Sequence, residues 1–339
     1  MAVPLDLSTM PFATMEAKLV DALPDDGGWQ FELKWDGFRC LAVKTGGGVA
    51  LWSKSARPLH RYFPEVVAAV GAHPGDDFVI DGELLGLTKG TGSFEILQMR
   101  LHPAESRIRK LSGEFPATLS LFDMPVATGG RSLVEQPLTE RRTALEKFLK
   151  PSDRLALSPY TRDLAEARRW LTRDDGSNDG IVCKRTDGSY VSGERAMLKV
   201  KRKRTADVVV GGFRYGTNSN LVGSLLLGLY DKGGRLNHIG FTSSISRGEK
   251  KELTKKLEVL RGEGFTGNAP GGPSRWSTER TEEYVPLKHE LVVEVQYDHI
   301  SGGRFRHGST LVRWRPDKTP AQCTYEQLGA GFHGPPDFE

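Results

Sequence analysis

Apolar and polar residues alternate along Gln30–Lys34, and short runs rich in apolar residues follow over Phe38–Lys44 and Val49–Ser53. A period of two puts successive side chains on opposite faces, so the first run predicts a strand with one face buried, and the short apolar runs beside turn residues predict strands as well. The same reading extends to Phe78–Leu87, Thr118–Asp123, Leu155–Tyr160, Gly180–Lys184 and Met197–Lys201. Between these runs, spacings of three and four predict helices over Arg61–Val70, Ser93–Arg100, Glu140–Leu149 and Leu164–Leu171. Pro64 falls in a first helical turn, where its missing N–H does no harm. Asp36-Gly37, set between two alternating runs, fits a tight hairpin turn, and Gly46, Gly47 and Gly48 fit another. Strands this closely spaced predict antiparallel pairing.

From Ala206 the texture changes. Asp207–Phe213, Ser224–Tyr230, Leu236–Phe241 and Leu291–Tyr297 read as strands, interrupted by one helix over Arg247–Arg261 and a Gly-, Pro- and Ser-rich stretch over Gly262–Arg280 that reads as a long loop. Strands with a single helix suit a small barrel of the OB type, and a simple sandwich is the other all-β option. A chain of 339 residues exceeds what one core usually organises, so two domains are expected. The fold class is α+β: mixed, mainly antiparallel sheets with helices over residues 1–203, then an all-β domain of the OB type over 204–339.

Composition narrows the function classes. With 38% hydrophobic and 27% charged residues the chain is an ordinary globular protein. No apolar run approaches the length needed to cross a bilayer, and the N-terminus lacks a basic region followed by an apolar core, so a cytoplasmic protein with no membrane partner is expected. Cys40, Cys183 and Cys323 are far apart and form no CxxC pair, which argues against a disulfide framework or a zinc module. The net charge of +4 is modest, but its distribution is uneven. Lys199, Lys201, Arg202, Lys203 and Arg204 form one cluster; Arg304, Arg306, His307, Arg313, Arg315 and Lys318 form another. Each is either a solvated face or a surface for phosphate.

The chemistry begins at Glu32-Leu33-Lys34-Trp35-Asp36-Gly37-Phe38-Arg39. Its KxDG core is too short to carry a function alone. In order behind it stand Asp81-Gly82-Glu83, Leu121-Phe122-Asp123, Asp179-Gly180-Ile181-Val182-Cys183-Lys184, Lys199-Val200-Lys201 and Arg315-Pro316-Asp317-Lys318. This series resembles the ordered motifs of the covalent nucleotidyltransferases, which comprise ATP-dependent DNA ligases, RNA ligases and mRNA capping enzymes. It is most similar to the small stand-alone bacterial C-type repair ligases. The resemblance spans residues 32–318, and its specificity lies in the order.

The chemistry accounts for the residue types. An amine attacks phosphorus only after losing its proton, and neighbouring cations favour that loss. The same cations stabilise charge developing on phosphoryl oxygens. The resemblance implies that Lys34 becomes covalently linked to AMP, with Lys199 and Lys201 as catalytic lysines at the α-phosphate. It places Glu32 in the nucleotide site. Arg39 and Ser53 would touch the AMP ribose or the 5′-phosphate of a nick. Glu83 would lie near the ribose and a metal, Phe122 on one face of the adenine and Val182 under the other. Glu83 and Asp179 would hold magnesium or manganese through oxygen. Arg315, Asp317 and Lys318 would orient the pyrophosphate leaving group. Arg39, Lys54, Arg202, Lys203 and Arg204 would meet DNA.

Two positions depart from the family pattern. Asp179 stands where glutamate is usual, one methylene shorter, and Lys54 stands where arginine is usual after Ser53, without the planar fork that grips phosphate bidentately. The implied activity is an ATP-dependent DNA ligase that seals nicked double-stranded DNA, working as a nucleoid-associated monomer with repair or end-joining proteins as expected partners. With only 33 residues before Lys34, no large N-terminal DNA-binding domain is expected. A swivel near Arg202–Thr205 would let the second domain serve both nucleotide and DNA. An RNA ligase, a GTP-using capping enzyme and a nucleic-acid-binding protein with a dead site are the alternatives; the nucleotide and the nucleic acid accepted separate them.

Overall fold

A computed structural model describes residues 5–86, 93–150, 152–172, 178–271 and 283–329. Leu87, at the end of one expected strand, and residues 272–280 of the expected loop lie outside the described residues. The chain divides into two compact units, Met1–Arg202 and Lys203–Glu339. Among the described residues no helix is long and apolar enough to cross a membrane.

The first unit runs through β1 (Ala17–Leu19), β2 (Trp29–Trp35), β3 (Phe38–Thr45), β4 (Gly48–Ser53), α1 (Pro64–Ala72), β5 (Phe78–Gly86), α2 (Ser93–Arg100), α3 (Glu105–Glu114) and β6 (Ala117–Ala127). It continues through β7 (Arg131–Ser132), α4 (Leu138–Phe148), β8 (Leu155–Leu157), β9 (Tyr160–Thr161), α5 (Leu164–Thr172), β10 (Asn178–Arg185) and β11 (Met197–Lys201). One sheet has the order β1-β11-β10-β2-β9; the other has the order β4-β3-β5-β6-β7, with β8 beside β6. Pairing is mainly antiparallel, with β1–β11 and β6–β8 parallel. The expected strand Leu155–Tyr160 is divided, β8 joining one sheet and β9 the other. The β3–β4 hairpin forms as expected, with Thr45 opposite Gly48.

Asp36-Gly37 is not a hairpin turn. β2 and β3 are neighbours in sequence but lie in different sheets, so the chain crosses from one sheet to the other at this dipeptide. A side chain at residue 37 would have its Cβ 2.1 Å from the Leu84 carbonyl oxygen and 2.9 Å from Glu83 Cγ. Glycine is therefore required by close approach to β5, and it ties the lysine strand to the strand that carries Glu83.

The second unit runs through β12 (Arg204–Tyr215), β13 (Val222–Tyr230), β14 (Leu236–Thr242), α6 (Lys250–Val259), β15 (Val285–Pro286), β16 (Val292–Tyr297), β17 (Ile300–Ser301), β18 (Arg304–Phe305) and β19 (Thr310–Trp314). Its main sheet has the order β14-β13-β12-β16-β19, and a parallel bridge from Thr242 to Ser309 brings the entry of β19 back to the end of β14. That return closes five strands into an OB barrel with α6 between the third strand and the fourth. Register shifts in the β12–β13 pair bend the long first strand so that it serves both β13 and β16. Val208, Phe213, Leu226, Val293 and Tyr325 are among the residues of its buried core.

Candidate active site

Alternation along the strands sorts the core from the chemistry. In β2, Trp29, Phe31 and Leu33 pack with Ala167 and Trp170 of α5, so Gln30, Glu32 and Lys34 point from the opposite face. In β10, Ile181 and Cys183 join the same core, which turns Val182 and Lys184 the other way. Leu198 does so in β11, leaving Lys199 and Lys201 on the face with Met197. In the other sheet Cys40, Ala42, Ile80, Leu84, Leu119 and Leu121 fill a core, so Arg39, Asp81, Glu83 and Phe122 occupy the reverse face. Lys34, Glu32, Val182, Lys184 and Lys199 from one sheet and Arg39, Glu83 and Phe122 from the other line a single cavity of about 270 Å3.

Lys34 sits opposite a bulge. β10 pairs with β2 through Asn178 opposite Trp35 and Ile181 opposite Leu33, so Asp179 and Gly180 together face Lys34. The extra residue brings Asp179 onto the lysine, and Lys34 Nζ donates to Asp179 Oδ2 at 2.8 Å. Gly180 takes a φ of +146°, and a Cβ there would lie 2.1 Å from the Val200 carbonyl oxygen. The bulge thus depends on glycine. Lys199 lines the cavity nearby; burial lowers its pKa, and the ammonium charges of Lys34, Lys54 and Lys201 lower it further. Lys201 shares its strand face but does not line the cavity.

Arg39 is fixed by a partner that residue order alone did not assign. Its Nε and Nη2 each donate to Asp81 at 2.6 Å, and its guanidinium lies 4.5 Å from the Phe122 ring centre. Asp81 also accepts the Tyr190 hydroxyl at 2.7 Å, and Tyr190 in turn accepts the Met15 N–H at 3.2 Å. Although burial opposes its charge, the Asp81 carboxylate raises the pKa of Arg39. Glu83 receives no comparable support: burial pushes its carboxyl up to about 7, against the opposing pull of Arg39 and Lys34.

Glu32 is buried, with an ion pair at one oxygen and a hydrogen bond at the other. Lys184 Nζ approaches Oε2 at 2.8 Å and Gln30 Nε2 donates to Oε1 at 2.9 Å. Lys184 also stands 4.4 Å from the centre of the Phe122 ring, so it is a buried counterion rather than a solvated charge. Its spacing within Asp179–Lys184 was a visible signal. Tyr190 had none, because its role depends on a contact 109 residues away in sequence.

Other expected residues fall elsewhere. Ser53 does not line the cavity; its Oγ accepts the Arg57 N–H at 3.0 Å within a turn. Lys54 does line it and pairs with Glu16 at 2.9 Å, with its side chain 55% exposed. The expectation that Arg202 meets DNA conflicts with its placement. Arg202 is buried, and its guanidinium donates to the Leu171 carbonyl and to Asn178 Oδ1, both at 3.1 Å. Together with its own N–H, donated to the Asp179 carbonyl, these bonds brace the end of the bulged strand. Lys203 is exposed, whereas Arg204 donates to the Asp298 carbonyl at 3.0 Å. In the second unit Arg315 and Lys318 both bind Asp207, and Arg315 also binds Asp317, whose carboxyl this bond lowers to about 2.

Among the described residues no group of three or more His, Cys, Asp or Glu side chains is placed to hold a metal. A protein-only cage is not what phosphate chemistry requires. Magnesium at a phosphate site takes one or two carboxylates and completes its shell with phosphate oxygens and water; the carboxylates here are Glu83, which lines the cavity, and Asp179, which is bonded to Lys34.

A lysine facing a carboxylate beside a cleft between two mainly antiparallel sheets, in a chain that continues into an OB barrel, is the arrangement expected of a covalent nucleotidyltransferase. Comparison with known proteins narrows the class. The profile of the ATP dependent DNA ligase domain matches residues 12–201, and that of the ATP dependent DNA ligase C terminal region matches residues 218–318. The chain is 39% identical to DNA ligase C2 of Mycolicibacterium smegmatis, over 97% of this chain and 98% of the relative. It is also 39% identical to DNA ligase C of Mycobacterium tuberculosis, over 94% of each. The solved structure of a Lig E DNA ligase superposes with a TM-score of 0.55 at 18% identity, covering 89% of this chain and 99% of that one, a likeness of fold alone. The chain therefore belongs to the ATP-dependent DNA ligase family.

Proposed function

We propose that this ligase seals nicks in double-stranded DNA through a lysyl-AMP intermediate on Lys34. In the first step Lys34 Nζ forms a bond to the α-phosphorus of ATP, the bond to the bridging oxygen breaks, and pyrophosphate departs with the electron pair. Asp179 is the base at hand for the proton of the amine. AMP then passes to the 5′-phosphate of the nick, and the 3′-hydroxyl displaces it to close the strand. The observation that carries this reading is the 2.8 Å approach of Lys34 to Asp179, with Lys34 lining the same cavity as Lys199, Glu83 and Phe122.

The other residues divide the remaining work. Lys199 and Lys201 offset charge on the α-phosphate. Phe122 and Val182, from opposite sheets, sandwich the adenine, and Glu32, held by Lys184 and Gln30, faces its edge. Arg39, preset by Asp81, contacts the ribose or the 5′-phosphate, and Ser53 stands outside the cavity, where its Oγ accepts the Arg57 N–H. Magnesium held by Glu83 and Asp179 would neutralise phosphate charge. Lys54 and Lys203 are the cations with exposure left for DNA, joined by Arg204, while Arg315, Asp317 and Lys318 act on the pyrophosphate. We assign adenylation to residues 1–203 and the OB domain to 204–339, in a monomer acting at the nucleoid with repair proteins.

Incubation with α-labelled ATP or GTP and magnesium, followed by nicked DNA or nicked RNA, tests this directly. Wild type should take label from ATP and pass it to nicked DNA; Lys34→Ala should take none. Label from GTP alone would point to capping chemistry, sealing of RNA alone to an RNA ligase, and label retained by Lys34→Ala would overturn the assignment of the nucleophile.

A further inference from the structure

Asp207, in the second unit, holds two cations at once. Arg315 Nη1 donates to its Oδ1 at 2.7 Å and Lys318 Nζ to its Oδ2 at 2.5 Å. Arg315 also forks onto Asp317, with Nε and Nη2 donating at 3.0 and 2.8 Å. Asp207 lies early in β12, whereas Arg315 and Lys318 follow β19, and β16 runs between those two strands. A carboxylate from the start of the barrel therefore gathers the cations from its end. The Asp207 side chain is 12% exposed, against 15% for Arg315 and 30% for Lys318, so the acid and the arginine are both largely buried and the lysine is the most open of the three.

The backbone of Asp207 is secured independently of its carboxylate. Its N–H donates to Gln327 Oε1 and its carbonyl accepts Gln327 Nε2, both at 2.8 Å. A guanidinium carries five N–H groups and an ammonium three, and the bonds to Asp207 and Asp317 use only part of that set. Both cations thus keep donors for an anion. A negative charge beside an anion site lowers its attraction, so what Asp207 contributes is placement: two long, flexible side chains are held together before the anion arrives.

We propose that Asp207 is the positioning residue for the Arg315–Lys318 pair in the first step, presetting both for the pyrophosphate released as Lys34 is adenylated. The inference rests on the reading of Arg315, Asp317 and Lys318 given above. Asp207 acts through the two cations bonded to its carboxylate. The step it serves forms the Lys34 N–P bond and expels pyrophosphate; the reverse consumes pyrophosphate and regenerates ATP. The third step, closure of an already adenylated nick, releases AMP and no pyrophosphate. Dependence on Asp207 is therefore specific to a step.

The test compares full-length Asp207→Asn and Asp207→Glu with wild type. Asp207→Asn preserves size and both Gln327 bonds to the backbone while removing the shared charge. Its rate of lysyl-AMP formation should fall by about ten- to a hundredfold, the range for a misplaced catalytic group, and the pyrophosphate needed to strip AMP from Lys34 should rise in parallel. Sealing of a nick carrying a preformed 5′-adenylate should be unchanged, and Asp207→Glu should recover part of the loss. If Asp207→Asn slows both steps alike, the residue is only structural; if it slows neither, the proposal is wrong. Arg315→Ala and Lys318→Ala separate the layers. Should they slow adenylation when Asp207→Asn does not, this inference alone fails; should neither slow it, the assignment of the pair to pyrophosphate fails as well.

Discussion

Replacing Glu83 with glutamine should stabilise the first unit above neutral pH and not below it. Burial carries this carboxyl from its ordinary 4.5 up to about 7, because the desolvation of its charge outweighs the nearby Arg39 and Lys34. The unfolded chain gives up the Glu83 proton near 4.5, whereas the folded protein keeps it to about 7. Within that window the unfolded state binds fewer protons, so stability falls as pH rises and stays low above it. At about 1.4 kcal/mol per pH unit the loss is about 3 kcal/mol, and glutamine, having no proton to release, does not suffer it. In a unit of this size that corresponds to roughly 6–12 °C in melting temperature. Thermal melts of both proteins without nucleotide or metal, at about pH 5 and about pH 8, would isolate the effect, since any change in packing that glutamine brings is common to the two conditions and cancels between them. A variant-minus-wild-type difference that is the same at both pH values would refute the desolvation argument. The stabilised variant should be poor at forming lysyl-AMP, the usual exchange of stability for function at a site built from unfavourable burial.

Gly180→Ala should disrupt the bulge opposite Lys34, since its Cβ would meet the Val200 carbonyl oxygen at 2.1 Å; AMP labelling should fall with melting temperature, and normal labelling would show that the bulge is not needed. His238 in the second unit, pushed down to about 3 by burial and by Arg304 and Arg214, should make that unit acid-sensitive. Its unfolded form takes up a proton near 6.5, so the stability it provides is complete above that value and is lost as pH falls toward 3. His238→Leu should melt with less dependence on pH through this window, and an undiminished dependence would assign the acid sensitivity elsewhere.

Much of this was legible in local pattern. Strand-length runs, alternating in β2 and largely apolar in β4 and β5, located most strands, while the α6 region was legible from helical spacing and the Gly46–Gly48 turn from its glycines. β19 was not, because Thr310, Val312 and Arg313 are exposed and leave no buried face to read. α3 was missed because Ile108 is its only buried residue, too little to mark a period. Among the site residues, Lys34, Glu83, Phe122, Val182 and Lys199 do line one cavity, whereas Ser53 and Lys201 do not. Arg202 shows the limit of reading charge from composition: in a basic run it looked like a surface for DNA, yet its guanidinium is turned inward to bonds with Leu171 and Asn178.

The sequence by itself singled out Lys34 as the candidate nucleophile, marked most of the strand-length runs, and supplied the order of motifs that places the chain among the ligases. These depend on residue identity and on the fixed period of a strand, which operate over a few residues. Only the tertiary structure decided that Asp36-Gly37 crosses between sheets, that Gly180 permits a bulge aiming Asp179 at Lys34, that Tyr190 and Asp81 fix Arg39, and that Asp207 gathers Arg315 and Lys318. Each of these depends on how closely distant strands pack and on which buried charge finds a counterion, conditions that exist only once the sheets have come together.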